Sequence, residues 1–355
     1  MRSSTGCSST RSLISEQRVA IVAIEQAWQK KVSWTLVLSP LTLLYYLIVQ
    51  IRRLAYRKGW LKQYSVPVPV IVVGNISAGG NGKTPVVLWL AELLQCHGFK
   101  PGVVSRGYGG QSSHYPLVVD STTTPEQCGD EPKLIGKRLA IPVVVDPNRS
   151  RAVQKAAELG ADVVISDDGL QHYAMPRAIE LAVIDGSRRH GNGWLLPSGP
   201  LREPVSRLQS VFAVICNGGV AGHGEYQMQL QPMNQWLAVN PEQHAISTAA
   251  LCGKKILAIA GIGHPQRFFD LIESLGISAE VQPLVDHAKI SPAQMAQWQI
   301  QYDAILMTEK DAVKCEMLGV SDCYYLPVTA RIDQQLEDNL LRELRELNKR
   351  ATHGV

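Results

Sequence analysis

Short apolar runs alternate along this chain with longer stretches of helical periodicity. Val68–Val73 (VPVIVV) predicts a buried strand, and Pro85–His97 a helix closed by Gly98. Further strands are expected at Gly102–Val104, Pro142–Val145, Val163–Ser166, Leu181–Ile184 and Val211–Cys216, with an amphipathic helix over Asn148–Leu159 ended by Gly160. Strands this short and apolar, separated by helices, predict a parallel, doubly wound sheet covered on both faces. Between about 221 and 255 the pattern changes. Tyr226–Leu230 and Trp236–Val239 read as two antiparallel strands of a linker rather than as βα units. A second α/β unit is expected beyond it, with strands at Ile256–Ala260 and Ile305–Met307, a helix at Gln266–Leu275 and a terminal helix at Gln334–Asn348. The chain therefore divides into a tail (1–24), an N-terminal segment (25–62), a large α/β unit (63–220), a linker (221–255) and a smaller C-terminal unit (256–355).

One apolar run does not fit the alternation. Trp34–Ile51 (WTLVLSPLTLLYYLIVQI) carries no charge over eighteen residues, which as a helix is about 27 Å, close to a hydrocarbon core of roughly 30 Å. Lys30 and Lys31 precede it, and Arg52, Arg53, Arg57, Lys58 and Lys62 follow. The heavier downstream cluster favours anionic headgroups and puts the following domain on the cytoplasmic side. Pro40 is expected to kink such a helix. A span, an interfacial helix dipping into one leaflet and a buried core helix all remain open on pattern alone. The Ser/Thr/Arg-rich first eighteen residues lack the apolar core of a signal peptide and read as a tail.

Composition adds little. With 45% hydrophobic residues the chain is globular, and 35 basic against 31 acidic residues leave a formal charge of +4, too mild to argue for nucleic acid. Seven cysteines form no C-x-x-C pair and their number is odd, which fits reduced thiols rather than a disulfide framework or zinc site. No motif calls for an obligate protein partner.

The strongest local signal is Gly74–Pro85, GNISAGGNGKTP, between an apolar strand and a helix. Gly79, Gly80 and Gly82 let backbone N–H groups turn inward around phosphate oxygens, and the helix N-terminus adds its positive dipole end. Ser77, Ala78, Gly79, Gly80, Asn81, Gly82, Lys83 and Thr84 are the expected ATP-binding residues, with Lys83 reaching the β/γ-phosphates and Thr84 ligating Mg²⁺. The first glycine of the general P-loop pattern is replaced by Ser77, so the strand–loop–helix context carries the assignment.

Two acidic sites accompany the loop. VVISDDG (Val163–Gly169) ends a strand in Asp167 and Asp168, at the edge where ligands of open α/β sheets bind. These acids suit Mg²⁺, or alternatively cap a turn. GDEP (Gly129–Pro132) places Asp130 and Glu131 at a helix start, where one acid is explained by capping and the second is free to orient and deprotonate a hydroxyl. A membrane-associated ATPase switch shares the loop, although such switches usually place a lysine early in it.

Taken in order, GNISAGGNGKTP, VVSRGYGG (Val103–Gly110), GDEP, SDDGLQHY (Ser166–Tyr173), LPSGPLRE (Leu196–Glu203), AGIGHPQRFF (Ala260–Phe269), VDH (Val285–His287) and MTEKDAVK (Met307–Lys314) resemble the tetraacyldisaccharide 4'-kinase family. The resemblance runs from about Glu25 to the last helix, and the Ser77 departure belongs to the family's own loop. It implies ATP- and Mg²⁺-dependent phosphorylation of the 4'-hydroxyl of a tetraacylated glucosamine disaccharide 1-phosphate in lipid A synthesis, at the cytoplasmic face of the bacterial inner membrane. It also implies a P-loop NTPase-type parallel sheet with helices on both faces, a smaller C-terminal α/β/α lobe, and a membrane-inserted N-terminal helix. The lipid disaccharide and the inner-leaflet surface are the implied partners. Asp130 matches the family's proposed base and His287 its histidine partner, with His264 as runner-up. Glu131, Asp167 and Asp168 are implied for the metal, and Arg149, Arg202 and Glu203 for substrate or phosphate. Glu309, Lys310 and Asp311 lie in the order T-E-K-D, which is not the guanine-reading [NT]-K-x-D, and no role follows for them.

Overall fold

In this computed structural model the described residues are 23–240 and 242–353. The expected tail therefore lies largely outside the described residues. The strands expected for the first unit form as β1 (Val70–Gly74), β2 (Pro101–Ser105), β4 (Val143–Val145), β5 (Val163–Asp167), β6 (Ile179–Asp185) and β7 (Ala213–Asn217), joined by a short β3 (Leu117–Val118). All but β3 run parallel, and β3 pairs antiparallel with β4 at the edge. Nearly every residue of the parallel strands is buried, as a sheet covered on both faces requires. Register matters for the site. Val73 pairs with Asp167, so the end of β1 and the acidic end of β5 emerge side by side.

Helices α1 (Ser39–Arg57), α2 (Lys83–Cys96), α3 (Asp130–Arg138) and α4 (Arg149–Glu158) belong to this half. Leu90 and Leu94 of α2 fill one face of the sheet, and Ala152, Val153 and Ala156 of α4 the other.

The linker is built differently from expectation. The two segments, observed as β8 (Glu225–Pro232) and β9 (Leu237–Ala238), do not pair with each other. β8 runs parallel to β7 and extends the large sheet, while β9 joins a second sheet. The antiparallel partner of β8 is β14 (Val328–Ile332), which arrives almost a hundred residues later and completes a nine-stranded sheet. Alternation reveals a strand's faces but not its neighbour, which is why the sequence paired the nearest two.

The second sheet contains β10 (Ile256–Ala260), β11 (Glu280–Pro283), β12 (Ala304–Met307) and β13 (Cys323–Tyr325) with β9 antiparallel at its edge. Helix α5 (Gln266–Ser274) covers one face through Phe268, Phe269 and Ile272. Helices α6 (Pro292–Gln301) and α7 (Glu309–Cys315) cover the other through Met295, Trp298, Ala312 and Cys315. The terminal helix α8 (Gln334–His353) does not belong to this lobe: Leu336, Leu340 and Leu344 pack in the core of the first sheet, and Trp89 Nε1 donates to Glu337 at 3.2 Å. The expected boundary at 256–355 is corrected accordingly.

A 3₁₀ turn over Trp34–Leu38 leads into α1, so Pro40 falls in the first helical turn and produces no mid-helix kink. Leu41, Leu43, Leu44, Leu47, Ile48 and Ile51 are exposed, and only 11% of the most apolar window is buried. A buried core helix is excluded. Polar anchors tie the helix down on one side: Thr42 Oγ1 donates to Ser198 Oγ at 2.8 Å and Tyr45 OH to the Arg202 carbonyl at 3.0 Å.

Candidate active site

β1 delivers the loop Asn75–Gly82 to the N-terminus of α2, which begins at Lys83. Gly82 is left-handed (φ 85°) and no side chain caps the helix, so its first N–H groups stay available to an anion. Other contacts brace the loop. Asn81 Nδ2 donates to Ser77 Oγ at 2.8 Å, Asn217 Nδ2 to the Asn81 carbonyl at 3.0 Å, and Arg188 Nη2 to the Gly80 carbonyl. The Ala78 N–H donates to the Pro200 carbonyl at 2.7 Å. Ser77, Ala78 and Asn81 thus shape the loop through bonds within the protein.

The acids lie at the end of the neighbouring strand. Asp168, in a left-handed conformation (φ 48°), stands 3.4 Å from Lys83 Nζ and 3.3 Å from Arg202 Nη1. Burial works to raise its carboxyl, but Lys83, Arg202 and Arg149 more than offset this and hold it below the usual carboxylate range. Asp167 goes the other way: burial, then the charges of Glu131 and Asp168, push it up against the pull of Lys83 and Arg149. Its Oδ1 is buried without a hydrogen-bond partner.

Two of the expected substrate contacts, Arg149 and Glu203, are buried and bonded within the protein. Arg149 is 4% exposed, and its guanidinium donates to the carbonyls of Asp167 (2.5 Å) and Asp168 (3.3 Å) and to Ser166 Oγ (2.9 Å). It clamps the acidic strand end from behind. Glu203, 1% exposed, accepts from Gln171 Nε2 at 2.9 Å and from the Tyr173 hydroxyl. Only Arg202 of the three remains at the site surface. The reason sequence could not separate them is simple: an Arg-carbonyl clamp and an Arg-phosphate fork use the same donors.

The second constellation crosses between the lobes. His287, on the loop after β11 and itself left-handed (φ 61°), has Nδ1 3.1 Å from Asp130 Oδ2. The ring of Tyr108 stands edge-on to it at 5.2 Å. Lys310 Nζ lies 3.0 Å from Asp286 Oδ1, 3.3 Å from Glu131 Oε1 and 3.3 Å from His287 Nε2. Glu131 is therefore held by a lysine rather than gathered with Asp167 into a cage. Among the described residues no group of three His, Cys, Asp or Glu side chains is placed to hold a metal alone. His264, the runner-up, instead sits near Arg267 and Arg188. Burial and those two charges lower its pKa.

The family profile described as tetraacyldisaccharide-1-P 4'-kinase matches residues 34–345. This chain belongs to that family. It is 49% identical to the tetraacyldisaccharide 4'-kinase of Aeromonas hydrophila over 90% of this chain and 96% of the relative. It is likewise 49% identical to that of Vibrio cholerae strain O395, over 88% and 92%. The crystal structure of LpxK from Aquifex aeolicus in complex with ATP superposes with a TM-score of 0.72 at 28% identity, covering 87% of this chain and 99% of the other. The family match, over residues 34–345, spans both lobes and α1.

The roles of three residues of this 4'-kinase chain were missed by sequence reasoning. Arg188 braces the loop and pairs with Asp185 at 3.1 Å; Arg267 reaches Asp185 from the other lobe at 3.0 Å. A strand ending in an acid, β6 at Asp185, is the same signal that exposed Asp167, and it could have been used. Lys310 was singled out in the T-E-K-D order but without a role, because its partners lie 23 to 179 residues away.

Proposed function

We propose that this protein is the ATP-dependent kinase of lipid A synthesis that phosphorylates the 4'-hydroxyl of a tetraacylated glucosamine disaccharide 1-phosphate, with Asp130 as its base. The observation that carries the chemistry is the Asp130–His287 pair, in which the two lobes meet within 3.1 Å. His287 occupies Oδ2 of Asp130, and no described residue bonds Oδ1. Oδ1 is the atom that takes the proton of the sugar hydroxyl as it attacks the γ-phosphate. The bond forming is sugar O–P, the bond breaking is P–O to the departing ADP, and the proton ends on Asp130. Because the pair is split between lobes, closure completes the site.

Lys83 rests against Asp168 and exchanges that partner for the β/γ-phosphates, while the open amides of the α2 terminus hold the triphosphate. Thr84 and Asp167, whose buried Oδ1 has no partner, are the residues that would hold a Mg²⁺ ion. Mg²⁺, when bound, neutralises charge on the phosphate oxygens. Asp168 keeps Lys83 and Arg202 in place, and Arg202 is the cation left to meet the substrate. Helix α1 rests in the inner leaflet of the bacterial inner membrane with the lobes on the cytoplasmic side. Its exposed leucines and the following arginines support this.

Purified protein is incubated with [γ-³²P]ATP and the lipid disaccharide in mixed micelles. Label is expected in the lipid, and Asp130→Ala lowers kcat by about 10²- to 10⁴-fold with ATP binding retained. Free phosphate without lipid label would sink the kinase reading; an Asp130→Ala enzyme at full turnover would remove Asp130 from the chemistry.

A further inference from the structure

The geometry points to Lys310 as the positioning residue that fixes the tautomer of His287, so that Nδ1 carries the proton given to Asp130. The inference rests on the Asp130–His287 pairing proposed above and extends it to a residue to which neither motif nor chemistry had assigned a task.

Lys310 lies in the first turn of α7, directed at the opposite lobe, with 14% of its side chain exposed. An ammonium has three donors and no acceptor, and here it faces three acceptors: Asp286 Oδ1, Glu131 Oε1 and His287 Nε2. The ring nitrogen facing it must present a lone pair. A neutral imidazole has one N–H, so that hydrogen sits on Nδ1, the atom 3.1 Å from Asp130 Oδ2. The other tautomer sets an N–H against an ammonium, where Asp286 Oδ1 at 3.8 Å is too far to accept it, and leaves Nδ1 facing a carboxylate with a lone pair. The ammonium itself is secure. Burial works against it, but Glu131, Asp286 and Asp130 more than offset that and raise its pKa.

The consequence is directional. With Nδ1–H fixed toward Oδ2, the carboxylate plane of Asp130 is set and Oδ1 is turned to the acceptor hydroxyl. Lobe contact does not depend on Lys310. Arg138 and Glu309 pair at 3.0 Å across the same α3–α7 interface, and Lys137 pairs with Glu316, just past α7, at 2.5 Å.

The test uses the full chain with ATP and lipid disaccharide in mixed micelles. Lys310→Met is expected to lower kcat about 10- to 100-fold with the KM for ATP changed less than about twofold. Lys310→Arg, which still donates, recovers most of the rate. On a His287→Ala background Lys310→Met should cost nothing further, because its action runs through the ring. In ¹⁵N-histidine spectra the His287 resonances, assigned by their loss in His287→Gln, should be those of a single Nδ1–H tautomer in the parent and of a mixture in Lys310→Met. The inference is overturned if Lys310→Met turns over normally, if its loss is undiminished without His287, or if the tautomer is unchanged. A fully active His287→Ala enzyme would instead remove the pairing itself, and Lys310 would have nothing to orient.

Discussion

Gly80 and Gly263 belong to different lobes, yet a Cβ on Gly263 would fall 2.6 Å from the Gly80 amide nitrogen. The phosphate loop is thus in backbone contact with the loop that leads into α5. No side chain gives way at such a contact, so the two lobes must part to admit a methyl group. Gly263→Ala is expected to raise the KM for ATP about tenfold, with lipid KM less affected. Steady-state kinetics against both substrates checks it; unchanged ATP KM would mean that the loops separate freely during turnover.

Asp185 links the lobes from beneath the same loop. Its carboxylate, 1% exposed, accepts from the amides of Ser187 and Arg188, each at 3.0 Å, and from the guanidinium of Arg267 at 3.0 Å. Burial would raise its pKa, but the Arg188 amide and the charges of Arg188 and Arg267 lower it on balance. A carboxyl depressed in the folded state stabilises fully above its unfolded value of about 4 and loses that contribution as the pH falls through the folded value. Asp185→Asn should therefore lower Tm at neutral pH and flatten its decline below about pH 4. Melting curves from pH 3 to 7 decide this; parallel curves for the two proteins would contradict it.

Arg149 and Arg202 approach the same acidic strand end with opposite expected consequences. Removing the Arg149 guanidinium takes a buried donor from the carbonyls of Asp167 and Asp168 and from Ser166 Oγ, and one of the cations that offset the paired acids. Arg149→Met is expected to destabilise by about 3 kcal/mol and to lose activity with the fold. Arg202→Met, on a half-exposed side chain, should leave Tm within about two degrees and lower kcat. Thermal melts beside kinetics separate the two, and a stable Arg149→Met protein would return that residue to the substrate.

The apolar face of α1 makes a surface prediction. Leu44 and Ile48 are each 55% exposed and contact no core. Replacing both with Glu should leave Tm of the lobes unchanged, since no packing is lost, while reducing sedimentation with anionic vesicles by about tenfold or more. Equal vesicle binding by parent and variant would exclude this face from lipid.

Local pattern made most of the first lobe legible. Buried parallel strands announce themselves as short apolar runs, and Gly79, Gly82 and Lys83 mark the loop because a phosphate cradle needs glycine where φ is positive. Asp130 was legible as one of two acids at a helix start and His287 only through the family resemblance, since nothing in either neighbourhood encodes their 3.1 Å approach. Long-range topology was hidden. Neither the β8–β14 pairing nor the return of α8 to the first core leaves a trace in periodicity, and the burial of Arg149 and Glu203 was hidden because it is set by elements distant in sequence.

The pairing of β8 with β14 has a consequence for how the molecule comes into being. The Met233 amide donates to the Pro327 carbonyl at 2.9 Å, so the chain leaves the nucleotide-binding half and re-enters it at one point. Everything in between is a domain inserted into another. During synthesis the half that holds the phosphate loop must wait, with the flank that Leu336, Leu340 and Leu344 will cover still bare, until the last turns emerge from the ribosome. Loss of α8 would damage the half of the protein that was made first.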